Sequence, residues 1–469
     1  MKTKVIFMLA LLASCSKDYI EEEIVFNLTP IKQETITIVT NANSTLDLQS
    51  KCVKSQTEVP NWNNTSYELF DIDYPENYAT AGNLLYNIDG MIGSGEYGFN
   101  VISVDYNNDG YKDVIGFSND RSNLINFPEG YYGYDRKQPI RFFKGSCEGN
   151  FEVDYENDSK YLGLVHGRKL LLGDFNNDSF VDVFFLGQGY DFEPRSGEFN
   201  KILMSNGEGG FNETDYTDYV SFYHGGASGD IDNDGDIDIV VTDAGARGKS
   251  LLMINNNGTF QMLDNLIDQS LMRGMYNAEL FDVNNDGFLD LIMGGHDWDY
   301  NQNPECEWWD CLSYNNTPLI IYGDGVDFIG NETKRLPPSN IDKQGIVSSF
   351  KFIDLNNDGQ VEILLTRTGD DMNEERGLAW DQSNFYKGWS IQIVEKIGDE
   401  YVESTDKFID NYYGSLESTN YLKWIRASNI KDYDNDGVLE LINSENAYEN
   451  PENFLEWELV NGMFIRKFN

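Results

Sequence analysis

Asp230-Ile231-Asp232-Asn233-Asp234-Gly235-Asp236-Ile237-Asp238 sets an acid at every second position of a nine-residue stretch. Side-chain oxygens at positions 1, 3, 5 and 9, with a Gly at 6 that lets the backbone turn and present the carbonyl of residue 7, make an oxygen cage for a hard cation. The frame recurs in Asp105-Asn107-Asp109-Gly110-Asp113, Asp174-Asn176-Asp178-Ser179-Asp182, Asp282-Asn284-Asp286-Gly287-Asp290, Asp354-Asn356-Asp358-Gly359-Glu362 and Asp432-Asp434-Asp436-Gly437-Glu440. Six copies in register, at intervals of 69, 56, 52, 72 and 78 residues, require an internal-repeat architecture. The second copy has Ser179 where the others have Gly, so its turn is strained and its site is expected to be the weakest.

An EF-hand carries a bidentate acid at position 12 of its loop. Here that position holds Gly116, Phe185, Val241, Met293, Leu365 and Asn443, which excludes that reading. Position 9 is followed instead by short apolar runs such as Ile239-Val240-Val241 and Ile363-Leu364-Leu365, which read as buried strands. The loop therefore joins two strands, A and B. A second hairpin follows, with polar Gly turns such as Asn206-Gly207, Asn257-Gly258 and Asn461-Gly462 between hydrophobic arms. An aromatic stands shortly after each turn: Phe151, Phe211, Phe260, Phe328, Tyr401 and Phe464. Each repeat is thus a four-stranded sheet, and radial repetition of such sheets gives an all-β propeller.

With these residues in hand, the chain resembles the FG-GAP/VCBS-repeat β-propellers, the family of the integrin α-subunit propeller. The resemblance covers residues 99–469 and implies calcium in the Asp loops, up to six structural ions. The segment before residue 99, chiefly residues 41–98, contains further strand-like runs, among them Thr35-Ile36-Thr37-Ile38-Val39 and Tyr67-Glu68-Leu69-Phe70, but no Asp loop. The favoured count is seven blades, one degenerate, with six as the alternative. The fold alone does not name an activity.

Lys2 and Lys4 precede a nine-residue apolar run, Val5 to Ala13, too short to span a bilayer and fit for a secretory signal. Leu12-Ala13-Ser14-Cys15 resembles a bacterial lipobox, which implies a signal peptide over 1–14 and acyl chains on Cys15. The following residues, 15–40, read as an acidic tether; Glu21-Glu22-Glu23 resembles the export signal of surface lipoproteins. The expected address is the outer membrane of a bacterial envelope, exposed at the surface and held by the lipid anchor only. Four cysteines then remain, Cys52, Cys147, Cys306 and Cys311, an even number that fits two disulfides or free thiols.

The net charge of −45 argues against nucleic acid as a partner. Six bound divalent ions would reduce it to about −33.

If A–B loops and C–D turns share one face, the longer B–C and D–A connections share the other. Those connections carry Tyr132, Tyr134, Tyr190, Trp298, Tyr300, Trp308, Trp309, Trp380 and Trp389, aromatics suited to stack on sugar rings beside polar groups. The competing reading packs them onto the rim. The three histidines, His166, His224 and His296, are expected on this same face. Neither a nucleophile elbow nor an HExxH motif occurs in the sequence. The favoured function is non-enzymatic binding of an extracellular glycan or surface protein. The alternative is a calcium-dependent polysaccharide lyase or hydrolase using His166, His224, Tyr132, Arg136 and Arg247.

Overall fold

The computed structural model of the chain describes residues 99–111, 113–118, 137, 139–146, 151–189, 197–243, 249–272, 274–297, 299–300, 312–313, 316–342, 344–371, 384–414, 428–431, 437–444 and 454–467. Each Asp loop separates the first two strands of a four-stranded antiparallel sheet whose strands follow chain order. Blade 1 is β1 (Phe99–Val104), β2 (Asp113–Ser118), β3 (Arg141–Gly145) and β4 (Phe151–Val153). Blade 2 is β5 (Gly167–Gly173), β6 (Asp182–Gly187), β7 (Glu198–Ser205) and β8 (Phe211–Ser221). Blade 3 is β9 (Tyr223–Gly229), β10 (Asp238–Asp243), β11 (Leu251–Asn256) and β12 (Thr259–Leu263).

Blade 4 is β13 (Met275–Phe281), β14 (Asp290–Gly295), β17 (Leu319–Ile321) and β18 (Thr333–Arg335), with a small hairpin of β15 (Asp299–Tyr300) and β16 (Leu312–Ser313) inserted between its second and third strands. Blade 5 is β19 (Ile346–Ile353), β20 (Glu362–Asp371), β21 (Asn384–Ile397) and β22 (Glu400–Glu403). Blade 6 is β23 (Ser428–Lys431), β24 (Glu440–Ser444), β25 (Phe454–Val460) and β26 (Met463–Lys467). The architecture is a β-propeller with six blades among the described residues. The expected seventh blade falls in residues 41–98, outside them, as do the leader, the tether and all five cysteines.

The strand order explains the burial. First strands pack neighbour to neighbour, β1 on β5, β5 on β9, β9 on β13, β13 on β19 and β19 on β23, so they lie innermost. Second strands are covered on both faces by adjacent blades, which is why β6, β10 and β14 are buried along their whole length and lack polar alternation. Val183 and Phe185 join the apolar cluster shared with blade 1, while Phe184 and Leu186 join the one shared with blade 3. Five such clusters occur, one between each successive pair of described blades. Outer strands such as β12 and β18 are half in water. The aromatics expected after the C–D turns are core residues in four copies, Phe211, Phe328, Tyr401 and Phe464.

The C–D turn of each of several blades nests on the A–B loop of the blade before it. A Cβ on Gly258 in blade 3 would lie 3.1 Å from Asn176 Cβ in the loop of blade 2, and one on Gly209 would lie 3.6 Å from Asn107 Cβ. A–B loops and C–D turns therefore share one face, as expected, and the B–C connections leave from the other. Among the described residues no helix is long and apolar enough to cross a membrane.

Candidate cation loops and ligand face

The Asp loops are held open by their own hydrogen bonds. In blade 3, Asp230 Oδ1 accepts from the Asp234 amide at 3.1 Å and Oδ2 from the Gly235 amide at 3.2 Å. Asp232 Oδ1 accepts from the same Asp234 amide, and Asp234 Oδ1 accepts from the Asp236 amide at 2.9 Å. The loops of blades 1, 2, 4 and 5 repeat the arrangement through Asp105, Asp174, Asp282 and Asp354. Backbone at position 6 is left-handed in each: Gly110, Gly235, Gly287, Gly359 and Gly437 have φ between 86° and 97°, and Ser179 is forced to 71°. Position 4 is left-handed too, and the residues there, Asn108, Asn177, Asn233, Asn285 and Asn357, are all Asn, the side chain that best tolerates that region after Gly. The sequence carries this signal as an Asn at position 4 of all six copies.

Position 9 has a second task beyond the one expected of it. Asp113, Asp182, Asp238, Asp290, Glu362 and Glu440 are 0 to 2% exposed, each heading its second strand. Asp182 Oδ2 accepts from the Phe175 amide at 2.9 Å, and Oδ1 from the Ser205 amide at 2.7 Å. Asp238 does the same with Ile231 and Asn255, Asp290 with Val283 and Gly323, and Asp113 with Tyr106 and Gly145. The carboxylate thus ties the A–B loop to the end of the third strand. Glu362, one methylene longer, takes the Leu355 amide and the Asn356 side chain.

Burial, reinforced by the neighbouring acids of the same loop, pushes Asp113 up to about 8 and Asp182, Asp238, Asp290 and Glu362 up to about 7. A cation would reverse that balance. Ligand oxygens of Asp230, Asp232 and Asp238 lie within 4.8 Å of one another. Oxygens bound to one calcium at ~2.4 Å can be at most ~5 Å apart, so this set fits a calcium ion. Each oxygen keeps a lone pair after accepting its amide. Asp432, Asp434 and Asp436 lie outside the described residues, with Glu440 alone of that set placed.

On the opposite face, two B–C connections begin as hairpins. β20 and β21 run on past a bulge near Thr368 and still pair at Asp370 with Phe385 and Asp371 with Asn384. β15 and β16 pair Asp299 with Ser313 and Tyr300 with Leu312. Tyr132, Tyr134, Tyr190, Trp298, Trp308, Trp309 and Trp380 lie outside the described residues, as do Arg136 and Arg247. Trp389 requires a correction. It is 1% exposed and packs edge-on to Trp457 at 5.9 Å in the cluster between blades 5 and 6, so it is a core residue and not a ligand platform.

The histidines do gather at this end of the blades. His224 lies 4.7 Å from the Tyr276 ring, which in turn lies 4.6 Å edge-on from His296. His166 and His296 are only 5% and 3% exposed, however, and burial pushes His296 down to about 3. Neither imidazole is presented to a ligand. Three further groups went unread: Glu198 is buried and accepts from the Val165, His166 and Gly189 amides; Asp297 and Arg367 form a buried ion pair at 3.1 Å; Lys169 and Glu279 form another at 2.7 Å. Such pairs join distant residues and leave no local pattern.

Residues 230–293 match the FG-GAP-like repeat family, a stretch that runs from the loop of blade 3 through the second strand of blade 4. Over this stretch the chain is similar to an FG-GAP-like repeat. The other Asp loops described share its hydrogen-bond scheme. A search of curated proteins gives no match. Among solved structures, a lectin of Agrocybe aegerita described as specifically recognising non-reducing terminal N-acetylglucosamine is 15% identical, with a TM-score of 0.38 over 77% of this chain and 70% of that one. An inulosucrase from Halalkalicoccus jeotgali bound to kestose is 12% identical, with a TM-score of 0.35 over 66% and 88%. A rhamnogalacturonan lyase of Bacillus licheniformis is 12% identical, with a TM-score of 0.28 over 64% and 68%.

Proposed function

We propose that this protein is a calcium-stiffened propeller that binds a glycan outside the cell through the face bearing its B–C connections. The observation that carries the reading is the division of labour between the two faces. One face is closed by Asp loops whose amides already orient their carboxylates; the other sends out connections that begin as paired hairpins in blades 4 and 5. Recurrence of the loops in every blade suits a structural ion, since active sites are few.

Asp230, Asp232, Asp234 and Asp238, and their counterparts in the other blades, would hold the ions, which supply positive charge to clusters that otherwise repel. Trp298, Trp308, Trp309, Trp380, Tyr132, Tyr134, Tyr190 and Tyr300 are the residues proposed to stack on sugar rings. Lipidation at Cys15 would tether the propeller to the outer membrane.

The test is retention of the purified chain on a panel of neutral and acidic polysaccharides, with calcium or chelator, scoring bound protein and shortened products. Retention without shortening supports the reading. Shortened products would establish an enzyme instead, and no retention on any glycan would sink the glycan reading in favour of a protein partner.

A further inference from the structure

We infer that the Asp loops of blades 2 and 3 bind their cations as a coupled pair, with the blade 3 ion required before blade 2 can hold its own. The inference rests on the calcium reading and concerns its regulation.

Asn255, 1% exposed at the end of β11, bridges the two loops. Its Nδ2 donates to the Phe175 carbonyl of the blade 2 loop at 2.7 Å and to the Ile237 carbonyl of the blade 3 loop at 3.0 Å. Its backbone amide donates to Asp238 Oδ1 at 2.8 Å. The amide of the same Phe175 donates to Asp182 Oδ2. A continuous hydrogen-bonded path therefore joins the position 9 carboxylates of two loops. A second path runs over the surface, where Asn177 of blade 2 donates its side-chain amide to Asp236 of blade 3, whose other oxygen accepts from the Asn257 amide.

The residues matching Asn255 in blades 1, 2 and 4 do not make the bridge: Gly145 and Gly323 have no side chain, and Ser205 Oγ accepts from Gly207 within its own turn. The pair is also unequal. Blade 3 offers four Asp side chains and Gly235; blade 2 offers three Asp, one Asn and Ser179 in a left-handed turn. Ligand charge and site rigidity set calcium affinity, so blade 3 fills first and, by ordering Ile237, Asp238 and Asp236, orders its neighbour.

The experiment counts calcium per chain by equilibrium dialysis of the purified full chain. Substituting Asp230→Asn with Asp234→Asn is expected to remove two ions relative to the unsubstituted protein; removal of one overturns the coupling. If that variant does not fold, Asn177→Gly keeps the left-handed turn while deleting the surface contact. It is expected to weaken one site at least fivefold, the lower end for coupled sites, seen as one ion lost at limiting calcium. Asn108→Gly, whose side-chain amide makes no hydrogen bond among the described residues, should keep every ion. Equal counts for Asn177→Gly and Asn108→Gly overturn the inference. An unsubstituted chain that binds no calcium overturns the ion reading itself, an outcome distinct from the loss of a single ion.

Discussion

Lys169 of β5 reaches past β9, the inner strand of blade 3, to place its Nζ 2.7 Å from Glu279 Oε1 on β13, with both side chains almost out of water. The ammonium also donates to the Ala278 carbonyl at 3.1 Å, and Lys351 of β19 adds a favourable charge to Glu279. The inner strands of blades 2, 4 and 5 are thus joined by charge. Removing one partner of a buried pair strands the other, so Lys169→Met should cost about 3–5 kcal/mol. Adding Glu279→Met should recover much of that loss, since an apolar pair needs no solvation. Urea unfolding of the two variants reads the difference, and equal stability of the single and double variants would count against the pair.

Ser179 holds φ at 71° where its counterparts are Gly. A side chain in the left-handed region costs ~1–2 kcal/mol relative to its ordinary conformations. Ser179→Gly should therefore stabilise the chain by about 1 kcal/mol, the greater freedom of Gly in the unfolded state taking back part of the gain. Gly235→Ser should destabilise by a comparable amount. Thermal unfolding at saturating calcium checks both.

The Asp loops and the four-stranded repeat were legible because spacing alone carries them: Asp232 and Asp234 stand two residues apart, and Ile239-Val240-Val241 follows at once as a strand. Trp389 was misread because β21 runs fourteen residues, from the projecting hairpin into the blade, and aromatic content does not reveal where one ends and the other begins. Register does, since Trp389 faces Thr368 just inside the bulge. The burial of Asp113 and Asp182 was hidden for another reason. An acid spaced as a ligand also caps backbone amides of the next turn, and one sequence pattern serves both tasks.

That correction makes a prediction. Trp389→Ala should destabilise the protein by about 3–5 kcal/mol through the cavity it leaves beside Trp457 and Ile391. Trp298→Ala and Trp380→Ala, read as ligand platforms, should leave the unfolding midpoint within the small range of surface substitutions and reduce glycan retention. A Trp389 variant with unchanged stability would return that residue to the ligand face.

His296 supplies a pH dependence with a definite sign. Burial against Tyr276 holds its folded pKa at about 3, against 6.5 for an ordinary histidine. The folded ring stays neutral while the unfolded one takes up a proton, so its contribution is fully present above about pH 6.5 and is lost progressively as pH falls towards 3. His296→Gln should flatten the loss of stability between pH 6.5 and 5, above the range where most carboxylates titrate. Parallel curves for the two proteins would show that the folded imidazole takes up its proton as readily as the unfolded one, and so is not held neutral by burial.

Chelation bears on the whole molecule. Each loop packs up to five carboxylates into nine residues, and burial already raises the position 9 acids of blades 1 to 5. An ion that binds only the folded chain stabilises it by about 2.7 kcal/mol per site at a hundredfold excess over its dissociation constant. Excess chelator should therefore lower the melting temperature markedly, and calcium should restore it, with magnesium less effective because it demands near-octahedral geometry at shorter distances and gives up its water reluctantly. The loss should be greatest above about pH 8, where the position 9 acids are charged along with the rest of each loop and repel. Below their raised pKa values protonation relieves that repulsion, so the gap between calcium and chelator narrows as the solution is acidified. A melting temperature indifferent to chelator at pH 7 would leave these loops as hydrogen-bonded turns alone.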